Sequence, residues 1–396
     1  MEGYALRVDT IDWSAAQRIG ELLAGSPPYG GVRTAPIETM AYDFARRVSD
    51  YSRLALPAEL PALEAVDRPA WIAANLASMR PLLGGLTDRL DSGSGPLAGP
   101  LRSASGFLLG AQVGAMTGVL SQRVLGQYDL ALLDASVTPR LLLLAPNLAL
   151  AARNLGVDRE ELVRWVTIHE VTHAVQFSGA PWLRDYLGGM VRELIDGLKV
   201  TIAGAGADDE AQPDSGGGGN GAAPGGRAGG ANRSRLPRLP DPNDLLELMA
   251  RARRGELLRL TLGEDRWQLV ERMQAAMSLI EGHAEHTMDV VGAEVLPSLP
   301  QLRAALNRRR QDRGLPWRVL ERLLGLELKM RQYEVGRRFC DAVVQEGGTR
   351  ALAYAWTGPE ALPSMAELDE PAKWLARAGR LPVSGAARTH VPPVTS

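Results

Sequence analysis

Apolar residues recur at intervals of three and four through most of the chain, the spacing that lines one face of an α-helix. On that period the sequence predicts helices at about 12–24, 37–52, 69–81, 101–123, 146–154, 158–177, 182–200, 242–255, 264–291, 299–310, 316–346 and 365–378. Strand-like segments are scarce. GQYDLALLD (126–134) and RLLLLAPNL (140–148) flank Ser136-Val137-Thr138-Pro139 and read as a short β-hairpin just ahead of a strong helix. The expected fold class is mainly α, a helical domain with a small β-hairpin or sheet beside the helix at 158–177.

Two stretches depart from the pattern. Residues 203–240 include an unbroken run from Gly216 to Gly219 followed by GAAPGGRAGGANRS. Such a stretch cannot bury enough apolar surface to offset the entropy of ordering it. It is expected to be a disordered insertion within a single domain spanning 1–385, with a loose tail at 386–396. Residues 104–121, ASGFLLGAQVGAMTGVLS, carry no charge and place Gly106, Gly110, Gly114 and Gly118 four residues apart. In a membrane this is a small-xxx-small face, but the span is at the short limit for crossing a bilayer. A buried helix whose glycine face admits a close neighbour is the expectation. A membrane anchor is the rival, and recovery without detergent would exclude it.

Composition narrows the partners. Formal net charge is −2, so nothing suggests a polyanion-binding surface and no nucleic-acid partner is expected. The single cysteine, Cys340, cannot form an internal disulfide. It sits in a helical pattern and is expected to be packed in the core. The segment MEGYALRVDTIDWSAAQ has acidic residues and no apolar run of signal-peptide length. The expectation is a cytoplasmic protein with no integral membrane anchor.

The candidate chemistry lies in VDREELVRWVTIHEVTHAVQFSG (157–179). Asp158 followed by Glu161 is a capping-box pattern, and Gly179 with Pro181 beyond it is a plausible stop. Within this helix His169 and His173 stand four residues apart and share one face, so both imidazoles can reach one zinc ion. Glu170 is about 100° further round the helix. It can lean over a metal without ligating it and take a proton from water. This is the H-E-x-x-H arrangement of zinc peptidases.

A catalytic zinc needs a third protein ligand and an open position. MSLIEGHAEHTMDVVG (277–292) supplies Glu281, Glu285 and Met288 on one helix face. Glu281 is the preferred third ligand, and Glu285 is placed to accept a hydrogen bond from a ligating histidine. His283 points roughly opposite Glu281. His286, about 140° round from it, is a candidate rim or transition-state residue. Four of the five histidines fall in these two segments, which suits one polar metal site. Tyr186 and Tyr333 are further candidates for transition-state stabilisation. The basic clusters Arg251–Arg254 and Arg308–Arg310 lack interleaved aromatics and read as solvated faces. Trp317, Leu320, Leu324, Leu328 and Tyr333 recur at helical spacing and read as core.

GQYDLALL (126–133), LLLLAPNL (141–148), WVTIHEVTHAVQF (165–177) and MSLIEGHAEHTMD (277–289) together resemble the zincin-like metallopeptidase family of actinobacteria and relatives. Its members are described as hydrolases or as associated with deazaflavin coenzyme biosynthesis. The resemblance implies a zincin-like domain, His169, His173 and Glu281 as metal ligands, Glu170 as base and Zn2+ as cofactor. The spacing from Glu281 to Glu285 is similar to the third-ligand helix of glutamate-type zincins, where the later acid is more usually Asp. The expected activity is metal-assisted hydrolysis of a peptide bond in a peptide or protein substrate. The hairpin would offer an edge strand to an extended peptide. The rival is a catalytically idle zinc-binding scaffold or partner protein in coenzyme metabolism.

Overall fold

A computed structural model describes residues 11–25, 35–87, 98–134, 136–207, 264–311 and 326–379. Of the insertion expected at 203–240, residues 203–207 continue a helix; the rest of it, the helix expected at 242–255, residues 316–325 and the tail lie outside the described residues. So do the side chains of Leu328 and Tyr333. The chain divides into two compact units, Met1–Glu193 with Glu271–Ser396, and Leu194–Val270.

The expected class holds: the described residues are mainly helical with one small sheet. In order they form α1 (Trp13–Ala24), α2 (Ala35–Ser52), β1 (Ala62–Val66), α3 (Arg68–Thr87), α4 (Ala98–Ser121), β2 (Gly126–Asp129), β3 (Arg140–Leu144), α5 (Ala145–Leu155), α6 (Arg159–Gly179) and α7 (Trp182–Ala207). After the insertion come α8 (Glu264–Val295), α9 (Leu299–Gln311), α10 (Leu326–Tyr354), α11 (Met365–Asp369) and α12 (Pro371–Ala378). Within α10, Gly348 takes φ 71° and breaks the helix in two, a conformation open to glycine at little cost.

The expected hairpin is present as β2 paired antiparallel with β3, Tyr128 opposite Leu141. Both strands are shorter than expected; β3 ends at Leu144 because Pro146 lies at the start of α5 and its fixed φ suits a helix's first turn. A third strand, β1, pairs parallel to β3 with Leu63 opposite Leu141, giving the order β1-β3-β2. The central position explains the unbroken Leu141–Leu144 run, since a strand covered on both faces has no polar side. Leu142 and Leu144 join Trp13, Trp71, Ile72 and Leu76 in one cluster. Leu141 and Leu143 point the other way, and α5 and α6 lie against the sheet. All four are essentially inaccessible, a burial of about 1.5–3 kcal/mol each.

Gly110, Gly114 and Gly118 do line a close helix–helix contact. A Cβ at these positions would collide with backbone of Asp12, which caps α1, and of Ala16 and Gly20 within it. The expectation of a buried helix holds for that face alone. Only 28% of Ser103–Ser121 is buried, and Phe107 and Leu108 are exposed. Glycines draw α1 in so closely that the larger residues opposite them are turned outward. By length and composition this is the one helix among the described residues that could cross a membrane.

Candidate metal centre

The N-terminus of α6 is fixed by Asp158, whose side chain accepts the backbone N–H of Glu161 at 2.8 Å. The second half of the expected capping box is diverted. The Glu161 carboxylate instead accepts from the backbone N–H and the hydroxyl of Ser298, just ahead of α9. Beyond this anchor α6 is almost wholly buried from Leu162 to Gln176. Thr167 and Thr172 turn their hydroxyls back to the carbonyls of Val163 and Ile168, the local bond that lets these residues sit inside a helix.

His169 and His173 stand one turn apart. Their rings are nearly perpendicular, at 88°, and the two Nε2 atoms converge to 3.3 Å. From α8, Glu281 brings its Oε2 to 3.6 Å from each. Among the described residues these three form the one group of metal-binding type. α8 is held in register by α10, where Gly282 and Gly336 meet so closely that a Cβ on either would strike the other helix's backbone.

The triangle has the dimensions of a metal site. A tetrahedron with arms of about 2.1 Å has edges of about 3.4 Å, close to the three separations found. The donor set, two imidazoles and a carboxylate, suits zinc. Glu281 Oε2 is also buried without a hydrogen-bond partner. A carboxylate oxygen left so costs free energy unless a cation meets it. The residues present therefore fit a divalent metal.

The electrostatics among these side chains agree. Burial raises the Glu281 carboxyl, but the two histidines outweigh it and hold it well below the usual carboxylate range. Burial lowers His169, yet Glu281 and Glu170 together with Glu285 carry it up to about 9. Burial pushes the Glu170 carboxyl up, with the histidines opposing. Glu170 Oε2 accepts the backbone N–H of Tyr128 at 2.7 Å, so β2 lies directly over it. Gly126 makes that approach feasible: a Cβ there would sit 2.6 Å from Val166 Cγ1 and 2.9 Å from Glu170 Cγ. β2 is an edge strand, but at Tyr128 the edge is not free, because Glu170 already takes its amide.

The other sequence candidates fall elsewhere. His286 has both ring nitrogens engaged, Nδ1 with Asp341 Oδ1 and Nε2 with the Tyr51 hydroxyl, each at 2.6 Å. It is not part of the metal-binding triangle. Glu285 meets Arg303 at 3.3 Å and bears on His169 through its charge, while the hydrogen-bond partner of His173 is Gln176. His283 is buried against Trp356, ring centroids 4.9 Å apart, and burial followed by His286 and His173 lowers it to about 3. It is neutral at ordinary pH. Tyr186 meets Trp182 edge to face. Cys340 is buried, and burial with Asp341 pushes its thiol well up, away from reactive thiolate character.

Sequence reasoning missed Gln176, Tyr51 and Asp341. Gln176 carried a signal, standing three residues after His173 on the same helix face. It accepts from His173 Nδ1 through Oε1 at 2.9 Å, and its Nε2 donates to the Ile280 carbonyl and to His283 Nδ1, each at 2.9 Å. Tyr51 and Asp341 reach His286 from α2 and α10, and no local spacing links either to it.

A family model described as zincin-like metallopeptidase matches residues 11–375. The chain is also similar to a crystal structure from Chloroflexus aurantiacus described as "a putative hydrolase with a novel fold". The two share 27% identity at a TM-score of 0.60, over 94% of this chain and 99% of that one. No curated protein matches.

Proposed function

The chain belongs to the zincin-like metallopeptidase family, and from that premise we propose that it is a zinc-dependent peptidase whose metal is held by His169, His173 and Glu281. The observation that carries the reading is the convergence of three donor atoms, Glu281 Oε2 at 3.6 Å from each of two imidazole nitrogens that lie 3.3 Å apart. Bound zinc would supply Lewis acidity, polarising a carbonyl and making water a better nucleophile near neutral pH. Glu170, next to His169 in sequence, is the general base. It takes the proton of the attacking water and returns it to the leaving amide nitrogen, so the carboxylate is restored at the end of the cycle. Burial supports both halves of that task by raising its pKa towards the working range.

Tyr128 is proposed to position the base. Its backbone N–H holds Glu170 Oε2, and the close seat of Gly126 keeps β2 against α6. An extended peptide pairing along β2 would have to compete with Glu170 for that amide. A peptide substrate would then lie beside the edge at Tyr128 without a hydrogen bond to that amide.

The test is turnover of a mixed peptide library by the zinc-loaded protein and by Glu170→Gln. Wild type is expected to cleave, and Glu170→Gln to lose about 10²–10⁴-fold, the usual worth of a positioned base, with its zinc retained. A zinc-bearing wild type that cuts no peptide in the library would favour a scaffold role over a peptidase.

A further inference from the structure

We infer that Gln176 is a positioning residue of the metal centre, fixing which nitrogen of His173 faces Glu281 and tying that histidine to the helix that carries the carboxylate. The inference rests on the metal-site reading above and adds a residue to it.

The argument runs through hydrogen-bond directions. An amide side chain has one accepting end and one donating end, and its neighbours decide which is which. The Ile280 carbonyl can only accept, so the Gln176 nitrogen must face it, at 2.9 Å. The second hydrogen of the same nitrogen goes to His283 Nδ1 at 2.9 Å, which must then be bare. The amide oxygen is left facing His173 Nδ1 at 2.9 Å, and that nitrogen must carry a hydrogen. A neutral imidazole protonated at Nδ1 keeps its lone pair on Nε2. That is the atom 3.3 Å from His169 Nε2 and 3.6 Å from Glu281 Oε2.

The same amide sets the spacing between helices. Ile280 precedes Glu281, so the bond from Gln176 in α6 fastens α8 at the residue beside the carboxylate. Gln176 is fully buried, and a partner lost here would not be replaced by solvent. A metal-binding histidine usually gives its second N–H to a carboxylate, carbonyl or water. Here a glutamine takes that bond, and Glu285, the acid at the expected spacing, is turned to Arg303.

Gln176→Met removes every polar atom at nearly the same length. Gln176→Glu keeps an acceptor for His173 and alters only the end facing Ile280 and His283. Zinc affinity by chelator competition should fall about 10–100-fold in the Met variant, the usual cost of losing such a partner, and far less in the Glu variant. Imidazole ¹⁵N shifts of zinc-loaded wild type should show His173 protonated at Nδ1 with the metal on Nε2. Equal zinc affinity of the Met variant and wild type would overturn the inference while leaving the metal site intact. So would a Glu variant as weak as the Met variant, or zinc on Nδ1. If the Met variant does not fold, the wild-type shifts and the Glu variant decide. A wild type that binds no zinc would fail the metal-site reading itself.

Discussion

At the scale of single residues, His169 and Glu281 favour each other's charged forms. His169 is carried from its ordinary 6.5 to about 9, burial being outweighed by Glu281 and Glu170. Its protonated form stabilises the metal-free fold. That contribution is complete below the ordinary value and is lost as pH rises through about 9. Glu281 has the opposite sign, with a contribution present above its ordinary 4.5 and lost as pH falls below that range. Zinc bound by His169 would have to displace that proton. Zinc affinity should therefore climb with pH between 6.5 and about 9 and flatten above. Calorimetry in buffers of differing ionisation enthalpy should find about one proton released per zinc at pH 7, and no release would contradict the account. The helix period alone was enough to put His169, Glu170 and His173 on one stretch of α6, and to favour Glu281 over His283. What the period could not supply was the partners. His286 is held by Tyr51 and Asp341, and Arg303 takes Glu285, through helix crossings no local pattern encodes.

At the scale of elements, close approach of backbones governs what can be changed. Gly114→Ala places a Cβ into the carbonyl of Ala16 and should destabilise by about 1–3 kcal/mol, as overpacking does. Gly189 in α7 has open space around its Cα. Gly189→Ala should stabilise by about 0.5–1 kcal/mol, because alanine is the better helix former. Paired thermal or denaturant melts check both, and equal effects would show that the α1–α4 contact yields easily. Gly126→Ala meets Val166 and Glu170. It should cost activity as well as stability, since it pushes β2 off the base, and a variant that loses stability alone would separate the strand from the site. Helices such as α1 were legible from apolar spacing because they bury one stripe, whereas α6 is buried nearly all round and was legible from its caps and motif. β1 was not: ALEAV is short and weakly strand-forming, and its pairing is imposed by β3. The face of α4 was half legible. Its glycines predicted a close neighbour, but nothing in the spacing told that the opposite face stays exposed.

For the whole molecule, the metal would join helices far apart in sequence. α6 supplies two donors from before the insertion and α8 the third from after it. Zinc that binds only the folded chain should stabilise it by about 2.7 kcal/mol at a hundredfold excess over Kd. A raised melting temperature, reversed by a chelator, would show this, and a melt indifferent to zinc would argue against it. The mainly helical class and the family were readable from the periodicity and four short motifs, because the motifs sit in the elements that build the core. The most direct test is the zinc content of the purified protein beside His169→Ala and Glu281→Ala. One zinc per wild-type chain and its loss from both variants is the predicted result. Equal metal in all three proteins, or none in wild type after zinc is supplied, would contradict it.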